Sequence, residues 1–209
     1  MLRLSDERIL AEFDEATGAL VRLADLPGGI EFLDPSKRSV PLRTVVDTEF
    51  SSSFEAFEHA QPDPRTLRLT WVVSPEVRVS ATVALLPASD APGLEFSVAV
   101  DVGSGGRVDA VEFPVLGTLT RVGNDPRENQ LAHSYASGFL VRDPLTNFPD
   151  PGSGLRLMPY PEGFAGATAQ LMAYYATGSG GLLVTCHDAS FAPKWLNFFK
   201  GETGLLEAT

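Results

Sequence analysis

Two neighbouring runs decide what this chain can fold into. In Arg65–Val73, the residues Leu67, Leu69, Trp71 and Val73 alternate with Thr66, Arg68 and Thr70. In Val77–Val83, the residues Val77, Val79, Ala81 and Val83 alternate with Arg78, Ser80 and Thr82. A period of two sends one row into a core and the other into water, the pattern of antiparallel sheets. Only Ser74-Pro75-Glu76 separates the two runs.

The same rhythm continues along the chain. Arg8–Phe13 and Ala19–Leu23 flank Asp14–Gly18, a five-residue loop ending in glycine, which predicts a hairpin. Further strand-like runs are Ile30–Leu33, Leu42–Asp47, Phe54–Ala60, Leu94–Val100 and Val108–Leu116. Pro- or Gly-bearing separators bound most of them. No window sustains a 3.6-residue period. The best helical stretch, Ala165–Met172, is weakened by Gly163, Gly166 and Thr168. The expectation is an all-β sandwich or barrel of antiparallel strands with little helix, as a single domain over residues 1–209.

Three apolar runs, Leu155–Tyr160, Ala169–Tyr175 and Gly181–Cys186, precede the polar cluster His187, Asp188, Lys194 and Trp195. They predict buried strands ending at a polar rim, a common place for a β scaffold to present chemistry. Gly117–Gly154 is rich in Gly, Asn, Asp and Pro and predicts a long irregular segment. Its Asn124, Asn129, Gln130, His133, Tyr135 and Asn147 suit sugar hydroxyls, or equally a solvated loop held by Asx-turns.

The net charge of -11 argues against phosphate backbones and anionic membranes, and no basic patch offsets it. No apolar run approaches the roughly 20 residues that span a bilayer, and MLRLSDERIL lacks a signal-peptide apolar core. A soluble chain is expected, its compartment unknown. The single cysteine, Cys186, excludes an internal disulfide. His59, His133 and His187 form no zinc spacing, and Asp143, Asp150 and Asp188 are too dispersed for a calcium loop. Metal: none and cofactors: none are the expectations.

Glycoside cleavage needs two convergent carboxyl groups. Glu162, Asp188, Asp143, Asp150 and Glu112 are acids that can face a rim, but spacing brings no two together. Trp195, Tyr160, Tyr174 and Tyr175 offer ring faces, and Gln170, His187, Asp188 and Lys194 offer polar groups. Such a set suits a sugar, and the rings equally suit a core or a domain boundary.

The opening ILAEFDEATGALVRLADLPGGIEFL resembles the N-terminal hairpin of bacterial glycoside hydrolases in which a galactose-mutarotase-like β-supersandwich precedes a (β/α)8 barrel. MPYPEGFAGATAQLMAYYATGSGGLLVTCHDASFAPKWL is similar to the "YP…Q…Y…GGL…HD…K" region of one branch of them. The resemblance implies two large twisted antiparallel sheets and a non-catalytic accessory role, scaffolding a C-terminal barrel of the same parent chain. It implies that His187, Asp188 and Lys194 lie at the domain interface or at the rim of a neutral-glycan site. No catalytic residue is assigned. Substrate-binding or interface candidates are His187, Asp188, Lys194, Trp195, Tyr160, Glu162, Gln170 and His133.

The ending GETGLLEAT is expected to be a cut within a longer multidomain glycosidase. Phe198, Phe199 and Trp195 are expected to form an exposed docking patch. Two other functions stay open. One is a stand-alone aldose mutarotase or epimerase using a His/Glu pair drawn from His133, His187, Glu162 and Glu112. The other is a free carbohydrate-binding module. The sugar, its linkage and its anomer are not readable.

Overall fold

A computed structural model describes residues 1–37, 39–89, 91–135, 138–148, 154–155, 159–161, 167–187, 193–200 and 206–208. In chain order the strands are β1 (Leu2–Ser5), β2 (Ile9–Phe13), β3 (Leu20–Asp25), β4 (Ile30–Glu31), β5 (Arg43–Val46), β6 (Glu49–Ser51), β7 (Ala56–Asp63), β8 (Thr66–Ser74), β9 (Val77–Leu85), β10 (Leu94–Val102) and β11 (Ala110–Glu112). There follow β12 (Gly117–Leu119), β13 (Asn129–Tyr135), β14 (Phe139–Arg142), β15 (Gly154–Leu155), β16 (Pro159–Tyr160), β17 (Ala167–Ala176), β18 (Gly180–Thr185), β19 (Lys194–Trp195), β20 (Phe198–Lys200) and β21 (Leu206–Ala208). The helix α1 is one turn, Pro144–Asn147. The chain is therefore all-β with almost no helix, and its strand pairs are antiparallel. Among the described residues no helix is long and apolar enough to cross a membrane.

The strands pair into six sheets of two to four strands among the described residues, rather than into two large ladders. They belong to two compact units. One comprises Met1–Gly29 with Pro35–Val115, the other Ile30–Asp34 with Leu116–Thr209.

In the first unit, β1, β2 and β3 form a meander. A four-stranded sheet has the order β10-β9-β8-β7, and a small one has β11-β5-β6. The alternation read from the sequence sets the core. Leu67, Leu69, Trp71, Val79 and Val83 are at most 1% exposed, whereas Arg68 and Arg78 face solvent. Trp71 lies centrally, with ring centroids 5.6 Å from Phe57 and 5.8 Å from Phe113. Its indole N–H donates to the Thr17 carbonyl at 2.8 Å, so a buried donor that would otherwise cost about 1–3 kcal/mol is satisfied.

Thr17 lies in the predicted hairpin loop. Asp14 Oδ1 accepts from the backbone N–H of Ala16 and Thr17 and from the Thr17 hydroxyl. The loop then turns at Gly18, with φ +75°, directly above the Trp71–Phe57 pair.

In the second unit the sheets run β12-β21-β20-β15, β14-β13-β17-β18 and β16-β19. Here the sequence reading needs correction. The stretch 117–154 is not one irregular segment, since it contains β12, β13, β14 and α1, and β13 is an inner strand between β14 and β17. Its buried row is Asn129, Leu131 and His133, alternating with half-buried Gln130 and Ala132. The period of two is present, but two of the three inward residues are polar. The best helical candidate, Ala165–Met172, is strand from Ala167 onward, and its first two residues lie outside the described ones. Phe198 and Phe199 are 1% and 8% exposed, buried on the inner strand β20 with Phe198 against Tyr174. They do not form a docking patch; of the three aromatics expected there, Trp195 alone is exposed.

The crowding at Gly18 gives a direct test. A Cβ there would sit 2.7 Å from the Phe57 ring and 2.9 Å from the Trp71 ring, in a left-handed backbone. Gly18→Ala is expected to destabilise the protein by about 1–3 kcal/mol, read as a lower urea midpoint at unchanged slope. Gly29→Ala is the control, with φ +64° but open space, and is expected to cost less.

Candidate functional site

The sequence candidates that come together do so around β16 and β19. These two-residue strands pair Pro159 with Trp195 and Tyr160 with Lys194. The Lys194 ammonium donates to Gln170 Oε1 at 3.0 Å and stands 5.3 Å from the Tyr160 ring centroid. A cation over a tyrosine face is worth about 0.5–1 kcal/mol at an exposed site. Gln170 is held in turn, because its carbonyl accepts the Cys186 N–H at 2.9 Å, one step beyond the Leu171–Thr185 register pair. Trp195 follows Lys194 on β19 and so points the opposite way; it is 38% exposed. The result is a polar cluster of amine and amide against one aromatic ring, with a second ring exposed on the same ribbon.

His133 supports this ribbon from below. It is 2% exposed, and its Nε2 lies 3.0 Å from the carbonyl of Leu196, the residue after Trp195. Burial holds its pKa below the ordinary histidine value, while the bond to the Leu196 carbonyl works the other way. The neutral ring donating from Nε2 fits both facts. Its place in the fold is that of a positioning residue. The neighbouring Ser134 hydroxyl bonds the Ala169 carbonyl, so β13 also ties down the start of β17.

His187 goes elsewhere. Its Nε2 is 3.0 Å from Thr185 Oγ1. Thr185 pairs with Leu171, so it shares a face with Leu171 and not with Gln170. His187 and the Lys194 cluster therefore lie on opposite faces of that sheet. Asp188 and Glu162 lie outside the described residues. Glu112 is bound to Arg43, with Nη1 to Oε2 at 3.0 Å, in the first unit. Tyr174 is buried, which pushes its pKa up to about 12 against the opposing Arg121 charge and a backbone hydrogen bond with Val122. Its hydroxyl stays protonated.

Besides Gln170, the candidates Asn129, Gln130 and Asn147 have defined partners, Asn147 donating its amide to the Arg142 carbonyl. Asn129 is buried, accepting from the Val122 N–H and donating to the Asp125 carbonyl. Gln130 accepts from the Tyr175 hydroxyl at 3.2 Å and donates to Thr177 Oγ1 at 3.0 Å. Sequence reasoning missed that Gln130 and Tyr175 are register partners. Counting Asn129 and His133 as inward residues of a strand would have found it.

His133 makes stability depend on pH with a definite sign. A base whose folded pKa is depressed is neutral in the fold, and the unfolded chain takes up the proton first. Its contribution is complete above the unfolded value near 6.5 and is lost as pH falls from there through the folded value. Denaturant midpoints between pH 7.5 and 5 should therefore fall more steeply for the wild type than for His133→Gln. Equal slopes would show that His133 does not titrate in this way.

No family model, no curated protein and no solved structure matches this chain. Its function is read from the side chains gathered around β16 and β19.

Proposed function

We propose that the chain is a non-catalytic accessory domain of a larger glycoside hydrolase, in which it scaffolds a (β/α)8 barrel and lends a rim to a neutral-glycan site. In this reading its sheets are parts of a galactose-mutarotase-like supersandwich. The observation that carries the proposal is the cluster of Lys194, Gln170 and Tyr160, with Trp195 exposed on the same short ribbon. Sugars offer apolar C–H faces and rings of hydroxyls. An aromatic face takes the first, and planar amides and ammonium groups take the second. The net charge of -11 suits an uncharged ligand better than a polyanion.

A mutarotase needs an acid and a base converging on one sugar ring. His133 is buried against a backbone carbonyl, and His187 lies on the far face from Lys194. Neither position favours that reading.

The test uses the isolated chain with neutral glycans and aryl glycosides. Glycan-array binding should fall at least tenfold in Tyr160→Ala and Gln170→Ala, whose side chains meet at Lys194, and stay within about twofold in His187→Ala. The chain alone should release no aryl alcohol and should not speed the mutarotation of fresh α-glucose or α-galactose. Turnover by the isolated chain would overturn the accessory role. Binding indifferent to Tyr160 and Gln170 would overturn the site.

A further inference from the structure

The four-stranded sheet of the first unit ends in two unlike edges. At β7 the register breaks between Ala60 and Asp63, Pro62 removes a donor, and Gln61 Nε2 bonds the Arg3 carbonyl. A bulge and a proline are devices that stop an edge from pairing. At β10 there is neither. Leu94–Val102 pairs with β9 through nine unbroken positions and contains no proline and no lysine. Among the described residues no strand lies on its other side.

The inward row of β10 is also uncovered. Val98, Val100 and Val102 are 46%, 41% and 43% exposed, while their register partners Ala81, Val79 and Val77 are 3%, 0% and 5% exposed. Phe96 escapes this because Phe113 packs on it edge to face, at 5.8 Å between centroids. An apolar row beside an open row of backbone donors and acceptors is the form of a sheet that takes one more strand.

Charge selects the occupant. The outward row of β10 is Glu95, Ser97, Ala99 and Asp101. A second copy paired antiparallel about Val98, the register of greatest overlap, would set Glu95 opposite Asp101, and like charges directly opposed are destabilising. Each copy also carries a net charge of -11. Arg78, the register partner of Asp101, offsets part of that acid, whereas Glu95 faces Ala84. Glu95 therefore carries more of the selection.

We propose that β10 is a docking edge for an extended segment of another polypeptide, with aliphatic residues at alternate positions and a Lys or Arg opposite each of Glu95 and Asp101. The two acids are six positions apart, so the segment reads basic, aliphatic, any, aliphatic, any, aliphatic, basic.

The capped peptide K-V-T-V-T-V-K is the probe, labelled for fluorescence anisotropy against the full chain. It should bind at least tenfold more tightly than E-V-T-V-T-V-E. Val100→Lys, a change at an exposed position, should abolish binding with the thermal midpoint nearly unchanged. The double variant Glu95→Lys with Asp101→Lys should reverse the preference between the two peptides. Equal binding of both peptides, binding of neither, or binding unaffected by Val100→Lys overturns the proposal. So does a wild-type dimer by sedimentation that Val100→Lys converts to monomer, because the occupant is then a second copy.

Discussion

The first unit depends on burying one face of the β8–β9 hairpin around Trp71. Its ring is fully buried, and truncation of such a side chain costs about 3–5 kcal/mol. The indole also carries a donor that must be met, and the Thr17 carbonyl meets it. One side chain thereby fixes the four-stranded sheet and the hairpin loop between β2 and β3 in one arrangement. Gly18 follows from this, because the chain must turn left-handed within van der Waals reach of the ring it covers. Asp14, by accepting from the loop's own backbone, holds the Thr17 carbonyl where the indole can reach it. Hydrophobic burial supplies the energy here, and one hydrogen bond supplies the specificity.

The second unit is organised differently. Its buried set includes Asn129, His133, Ser134 and Asn197 beside Leu131, Met172, Tyr174 and Phe198. Asn129, His133 and Ser134 bond backbone groups outside their own strand: Asn129 the nearby Val122 and Asp125, His133 the distant Leu196, and Ser134 the distant Ala169. These contacts stand in for part of the apolar packing and tie short ribbons such as β16–β19 to a longer sheet. They also bear on function. The ribbon carrying Lys194 and Trp195 is two residues wide and would be marginal alone. His133, inside the neighbouring sheet, anchors the carbonyl that follows it.

This difference explains what was legible in the sequence. β8 and β9 were readable because their inward residues are Leu, Trp, Val and Ala, so burial and chemistry carry the same pattern. β13 has the same period, yet its inward Asn129 and His133 look like loop residues until their bonding partners are known, and those partners lie up to 63 residues away. The candidate site shows the same split. Lys194, Gln170, Tyr160 and Trp195 were identifiable by type. That Lys194 reaches Gln170 while His187 turns to Thr185 rests on strand parity and on the exact register of β17 with β18. A shift of one residue exchanges the faces. Phe198 and Phe199 failed as a surface patch for a related reason. Consecutive aromatics on an edge strand would expose one ring, but β20 is an inner strand and is buried on both faces.

Edges are the part of a β protein that sequence conceals most fully. β9 and β10 are both nine residues long, and both carry an apolar row against a polar one. Position in the sheet alone separates them: among the described residues β9 is flanked on both sides and β10 on one. The cost of that position differs between backbone and side chains. Water satisfies the open N–H and C=O groups of β10 at little expense. No solvent compensates Val98, Val100 and Val102, which carry apolar surface that their register partners bury. At roughly 25 cal/mol per Å2 of apolar surface, covering these three valines contributes a favourable term that offsets part of the cost of ordering a docked strand. The acids at Glu95 and Asp101 oppose the symmetric self-pairing that the same apolar row would otherwise invite. An edge that attracts strands in general and repels its own copy is selective by construction. The closed β7 edge across the sheet confines that selectivity to one side.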